Sequence, residues 1–148
     1  MNILFPFHPR FVHFPIALSL VGVAFVFAGL LLSARSTRGQ GSRWTDYGRL
    51  SLVLGWLGVL AAIATGLIDQ SRAPGDPQVT QAINQHITVG LGLLVALGLA
   101  LYWPLRDKRV WAERRVAYLA LLVVVVALVL LESWLGGKLV YQYGVGVR

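Results

Sequence analysis

The sequence predicts an all-α membrane protein, a four-transmembrane-helix bundle with both termini on the outer side of the membrane. Three observations carry that prediction. Only 13% of the 148 residues are charged, against roughly a quarter in an average soluble domain, while 57% are hydrophobic. Mean hydropathy is +0.70. The apolar residues fall into four long segments, and most of the basic residues lie in two of the loops between them.

Four apolar segments are long enough to cross a hydrocarbon core, which takes about 20 helical residues. They form one domain over residues 1–148, with approximate bounds 11–33, 50–68, 87–105 and 116–135. Backbone polar groups find no water in lipid, so we expect each segment to be a helix. The run Val123–Val126 would favour a strand in water, but the bilayer overrides that preference.

Two turn signals predict where helices begin and end. "APGDPQ" at 73–78 is typical of a turn, with Asp76 as the N-cap and Pro77 at the first helical position. The third helix should therefore begin before the membrane, near Pro77. The pair Gly136 and Gly137 is expected to end the fourth helix, because glycine commonly follows a helix C-terminus.

The loop charges predict the orientation of the chain. Nine of the thirteen Lys and Arg residues lie between spans one and two or between spans three and four. They are Arg35, Arg38, Arg43, Arg49, Arg106, Lys108, Arg109, Arg114 and Arg115. The positive-inside rule places these loops in the cytoplasm and both termini outside a bacterial inner membrane. Residues 1–7 lack a basic segment and a small-residue cleavage site, so we expect no cleaved signal peptide.

Cysteine labelling tests this orientation directly, because the chain has no native cysteine. A cysteine at Gln142 should react with an impermeant maleimide added to intact cells, and a cysteine at Ser36 should not. The reverse labelling pattern would contradict the assignment.

Composition and motifs exclude several function classes. Without cysteine the chain has no disulfide, thiolate ligand, c-type haem attachment or iron–sulfur cluster. No nucleophile elbow, phosphate-binding loop, zinc-protease motif or paired catalytic carboxylate appears, which argues against hydrolase and nucleotide-dependent functions and favours a chain that is not an enzyme on its own. The net charge of +7 lies in loops and not along one face, which argues against nucleic acid as a partner.

Polar residues of the spans gather at the outer side once the chain is folded in this way. They are His8, Arg10, His13, Asp69, Asn84, His86 and Glu132. Ionisable groups at membrane depth are costly and generally mark a functional site. We therefore expect His13, His86, Asp69 and Glu132 to converge in one pocket. His8 precedes Pro9, and we expect it to cap a helix.

The spacing around two histidines suggests a cofactor. His13 is followed four residues later by Ala17, and His86 by Gly90. These small residues lie one turn deeper on the same helix face and would leave room for a flat porphyrin. The hypothesis is haem b held between His13 and His86, with Arg10 and Lys138 meeting its propionates. Asp69, Glu132 and Asn84 would form the surrounding polar layer.

Four motifs resemble the bacterial family catalogued as domain of unknown function 2231. They are "HPRFVHFPIAL" near the start, "GLID" after span two, a histidine opening span three, and "GGKLVYQYGVGV" at the end. The family's motif histidines match His8, His13 and His86, and its last motif matches 136–147. The resemblance implies a four-helix membrane domain, sometimes joined to or found near electron-transfer components.

Three functions are compatible with these observations. The first is a b-type haem-binding electron-transfer subunit exchanging electrons with a quinone or an external cytochrome. The second is a non-catalytic accessory or structural subunit of a larger membrane complex. The third is a Zn or Cu site using His8, His13, His86 and a carboxylate. His8 and His13 lie about 140° apart on a regular helix, so this third site requires the prolines to break the helix.

Overall fold

The computed structural model describes residues 8–33, 40–70 and 75–145, without the side chains at positions 9, 10, 40 and 41. Over these residues the chain is almost entirely helical. The helices are α1 (His8–Phe11), α2 (His13–Ser33), α3 (Gln40–Gln70), α4 (Pro77–Arg106) and α5 (Arg115–Tyr141), with a short 3₁₀ turn at Lys108–Trp111. Helices α2 to α5 are each long and apolar enough to span a membrane, which confirms the predicted four-helix membrane fold.

The helices form two hairpins. Contacts are dense between α2 and α3 and between α4 and α5, and sparser across the seam that separates the two pairs. Glycines allow the first hairpin to pack closely: a Cβ at Gly48 would lie 2.7 Å from the backbone nitrogen of Val26. Buried apolar side chains from α2 to α5 fill the seam over most of its length, among them Leu52, Leu97 and Val125.

Helix α4 begins where the sequence predicts. Asp76 accepts hydrogen bonds from the backbone N–H groups of Gln78 and Val79, at 2.7 and 3.2 Å, and Pro77 occupies the first turn. The carboxylate thus satisfies two of the N–H groups that a helix start leaves without partners. The turn prediction at 73–78 is confirmed for the residues from Gly75 onward.

The predicted end of the last helix is wrong. Helix α5 continues through Gly136 and Gly137 to Tyr141. The turn that follows closes at Gly144, which has φ 65°, with hydrogen bonds from Gly144 N to Val140 O and from Val145 N to Leu139 O. Gly144 takes the left-handed conformation and its N–H bonds to the carbonyl four residues earlier, as in the αL type of helix end. The last described turn therefore packs back on α4 rather than extending away.

Tyr118 supplies a hydrogen bond that the neighbouring helix α4 lacks. Pro104 lies inside α4 and has no N–H, so the carbonyl of Ala100 loses its usual partner four residues on. The fully buried Tyr118 of α5 donates its hydroxyl to that carbonyl at 3.0 Å. One side chain thus satisfies an acceptor that would otherwise be buried without a hydrogen bond.

We expect Tyr118→Phe to lower the free energy of unfolding by about 1 kcal/mol, the usual worth of a buried hydrogen bond. The loss should shrink in a Pro104→Ala background, where an N–H returns to Ala100. Denaturant titration of all four variants in detergent measures this coupling. The same loss in both backgrounds would contradict the explanation.

Candidate outer histidine site

A polar cluster joins the two hairpins at their predicted outer ends. Its members are His8 from α1, Thr65 and Asp69 from α3, His86 from α4 and Glu132 from α5. Each hairpin contributes one imidazole and one carboxylate. The cluster therefore lies across the seam, where the packing between hairpins is sparser than within them.

Asp69 fixes the start of the first hairpin. Its Oδ2 accepts the backbone N–H of His8 at 3.1 Å. His8 begins α1, so this N–H is among those that lack an acceptor within the helix. The carboxylate of one helix thereby caps another and holds His8 over the last turn of α3.

The His8 ring is held by the backbone of α3. Its Nδ1 lies 2.8 Å from the carbonyl oxygen of Ala62 and 3.4 Å from the hydroxyl oxygen of Thr65. The carbonyl can only accept, so Nδ1 carries the proton and Nε2 keeps its lone pair. Burial lowers the pKa of His8, which favours this neutral form. Gly66 leaves room for the ring, since a Cβ there would lie 3.1 Å from Nδ1.

His86 faces Glu132 in the second hairpin. Its Nδ1 lies 3.2 Å from Glu132 Oε1, outside the angle of a regular hydrogen bond. Both side chains are mostly buried, 14% and 19% exposed. The other carboxylate oxygen, Oε2, is buried without a hydrogen-bond partner among the described residues. A buried oxygen in that state is costly, which makes this pair a candidate site.

The two imidazoles meet across the seam. The ring centres of His8 and His86 are 5.9 Å apart, and the ring planes are nearly perpendicular at 84°. Each Nδ1 faces an oxygen of its own hairpin. In the described part of the chain, the Nε2 atom of neither ring has a hydrogen bond.

Two glycines near the cluster leave room for its polar side chains. A Cβ at Gly90 would lie 2.9 Å from Glu132 Oε1, and a Cβ at Gly136 would lie 3.3 Å from His86 Cε1. Gly90 was expected to leave space beside a porphyrin. The carboxylate of Glu132 lies in that space instead, because α4 and α5 approach closely at this level.

The structure does not bring His13 beside His86. The α2 residues that pack on α3 include Pro15, and His13 lies about 160° from it around the helix. His13 and Ala17 are accordingly exposed, on the side of α2 away from the cluster. The imidazole that faces His86 belongs to His8, which the sequence analysis assigned to a capping role.

The remaining predicted site residues are dispersed. Asn84 is exposed and lines an open groove on α4 with Gln81 and Gln85, so it is not part of the cluster. Lys138 places its ammonium 5.7 Å from the Trp134 ring centre and 5.9 Å from that of Tyr143, a cation–π arrangement. The side chain of Arg10 lies outside the described residues.

Several members of the site could not be recognised from the sequence. Thr65, Ala62, Gly66 and Gly136 hold or accommodate the two rings, although none has a distinctive residue type. The available signal was the spacing of Gly58, Ala62 and Gly66, a face of α3 that can only be filled by a side chain of another helix.

No curated protein and no solved structure matches this chain at a significant level. A family model described as "Predicted membrane protein (DUF2231)" matches residues 4–148, nearly the whole length. The chain is a member of the DUF2231 family of predicted membrane proteins.

Proposed function

We propose that this multi-pass membrane protein binds one b-type haem between its hairpins and transfers single electrons at the outer side of a bacterial inner membrane. His8 and His86 would hold the haem iron. The observation that carries the proposal is the pair of neighbouring imidazoles, with His8 Nδ1 2.8 Å from Ala62 O and His86 Nδ1 3.2 Å from Glu132 Oε1, and with no hydrogen bond at either Nε2 among the described residues.

The ring separation suits a metal bound by both histidines. His8 and His86 are close enough across the seam that one iron would be held by both rings, once the seam widens to admit a porphyrin. The observed separation is 5.9 Å. The pair comes from two helical hairpins, and haem sites in helix bundles are built from side chains on facing helices.

The number of donors favours haem over a bare metal ion. Zinc and copper sites in proteins generally use three or four side chains, whereas a porphyrin supplies four nitrogens and needs two axial ligands. Within residues 8–33, 40–70 and 75–145, no group of three or more His, Asp and Glu residues is arranged to hold a metal ion. This ranks the Zn or Cu hypothesis below haem.

Groups around the two histidines suit ligation. Ala62 O and Glu132 Oε1 face the Nδ1 atoms, the position of the acceptors that orient metal-bound histidines and raise their basicity. The carboxylate of Glu132 occupies the space at Gly90, so haem entry requires the outer end of the seam to widen. Bound haem supplies one-electron chemistry. Lys138 and Arg10 remain the proposed partners of its propionates.

A quinone or an external cytochrome is the proposed electron partner, since the site lies at the predicted outer surface. A second function is favoured by the same contacts: Asp69 and Glu132 also tie helices together, as they would in an accessory subunit of a larger membrane complex. In that case the cluster would serve only the packing of the two hairpins.

Absorption spectroscopy of the purified full chain separates the two functions. We expect a Soret band, sharp α and β bands after dithionite reduction, and one extractable haem b per chain. Protein that stays colourless after expression with added haem precursor, and after titration with hemin, would overturn the haem proposal. The accessory role would then predict that Glu132→Gln lowers the stability of the bundle.

A further inference from the structure

The opposite end of the bundle is strongly basic. The described segments there hold seven basic side chains, Arg43, Arg49, Arg106, Lys108, Arg109, Arg114 and Arg115, but only the acids Asp46, Asp107 and Glu113. One of those acids is already engaged: Asp107 pairs with Arg109 at 3.0 Å and with Arg114 at 3.3 Å. The hydrogen bond from Arg109 lowers the pKa of Asp107, which therefore stays ionised.

Two of these arginines differ from the others because they are half-buried. Arg115 donates from Nη2 to the carbonyl of Leu30 on α2 at 3.1 Å. Arg49 follows Gly48 on α3, and Gly48 packs against Val26 of α2. Val26 and Leu30 are one turn apart, so Arg49 and Arg115 extend from α3 and α5 beside the same turn of α2. Arg49 is also close enough to Tyr118, three residues after Arg115, to act electrostatically on its hydroxyl group.

This turn lies below the end of α2. Val26 is seven residues, or about 10 Å of helix, before Ser33. Arg49, which the sequence placed in the loop before span two, therefore lies inside the helix that spans the membrane, where an ionised side chain is costly unless it finds a partner. The negative end of the α2 dipole favours cations there, but it meets only part of the donor capacity of two guanidinium groups.

Carboxylates do not balance the pair. Neither Arg49 nor Arg115 forms an ion pair with an acid in the part of the chain that the structure describes. Three of the six acids in the chain, Asp69, Asp76 and Glu132, are at the other end. The segment 34–39, "ARSTRG", contains no acid. An anion from outside the chain would stabilise two like charges beside one helix turn.

We propose that Arg49 and Arg115 bind the phosphate of an anionic phospholipid from the inner leaflet. A guanidinium presents paired N–H donors that match two phosphate oxygens, so two of them can hold one phosphate group firmly. Basic pockets between helices on the cytoplasmic side are recurrent sites for such headgroups. Exposed Leu31, Trp44 and Tyr47 at the same end provide an apolar surface for the acyl chains.

Native mass spectrometry of the full chain in detergent tests this site with phosphatidylglycerol as the probe and phosphatidylcholine as the uncharged reference. We expect one tightly bound phosphatidylglycerol per chain. Arg49→Gln and Arg115→Gln should each weaken that binding about 10- to 100-fold, the usual worth of a charge-assisted hydrogen-bonded pair. The matched control is Arg43→Gln, which removes an exposed arginine of the same helix and should change binding less than threefold.

Further comparisons keep the test decisive if a variant is unstable. Arg49→Lys keeps the charge but loses the paired donors, and should bind at an intermediate level while retaining the helical circular dichroism of the wild type. Equal binding of the two lipids, or equal loss in Arg43→Gln and Arg49→Gln, would overturn the proposal. Displacement of the lipid by millimolar inorganic phosphate would also overturn it, because the site would then be one for free anions.

Discussion

His8→Ala and His86→Ala should each abolish the haem spectrum, whereas His13→Ala should leave it intact. The reason is geometric: the rings of His8 and His86 face each other at 5.9 Å, while His13 is exposed on the opposite side of α2. A reduced-minus-oxidised difference spectrum of the three purified variants measures the effect. Protein yield from the membrane fraction, compared at equal expression, shows whether each variant has folded.

His13→Ala is a matched control because it removes the same side chain only five residues from His8. Loss of the spectrum in His13→Ala but not in His8→Ala would restore the pairing of His13 with His86 and contradict the present assignment. Equal loss in both would point to a site that uses both N-terminal imidazoles, which this arrangement does not provide.

Gly48→Ala should destabilise the protein by about 1–3 kcal/mol, the usual cost of forcing extra volume into a packed core. The new Cβ would lie 2.7 Å from the backbone nitrogen of Val26 and 2.8 Å from the carbonyl oxygen of Gly22. Backbone atoms cannot rotate away as a side chain can, so α2 and α3 must separate. Thermal unfolding in detergent, followed by helical circular dichroism, measures the loss.

Gly92→Ala is the control for this substitution. A Cβ at Gly92 would have no other atom within 4 Å, so only the higher helix propensity of alanine acts, worth up to about 1 kcal/mol in its favour. We expect Gly92→Ala to be neutral or slightly stabilising. If both variants lose stability equally, close packing at Gly48 is not what holds the first hairpin together.

The four helices and the start of α4 could be predicted because they depend on local properties. Long apolar runs form helices in lipid. The Asp76–Pro77 pair marks the start of a helix through contacts that reach no more than three residues along the chain. The end of α5 could not be predicted from its own residues. Gly136 leaves room for the ring of His86 on the neighbouring helix. The sequence alone does not distinguish a glycine required for such packing from a glycine that ends a helix.

The site could be predicted only in part, because some of it depends on how the helices pack against each other. The residue types of the cluster and their common end of the bundle follow from the order of the spans. Which histidine faces inward depends on the rotation of α2, and the residues Pro15, Ser19, Gly22 and Val26 that pack on α3 determine it. His13 was chosen because a small residue follows it by one turn, a pattern that an exposed helix face satisfies equally well.

The hydrogen bond from Tyr118 to Ala100 makes two distant positions depend on each other during evolution. A lineage that acquires proline at 104 before tyrosine at 118 carries a buried carbonyl without a partner, so the tolerated order of changes runs from the tyrosine to the proline. In a lineage that loses both residues, the proline at 104 must be replaced before the tyrosine at 118. Among descendants, an aromatic residue without a hydroxyl at 118 should therefore accompany a residue other than proline at 104.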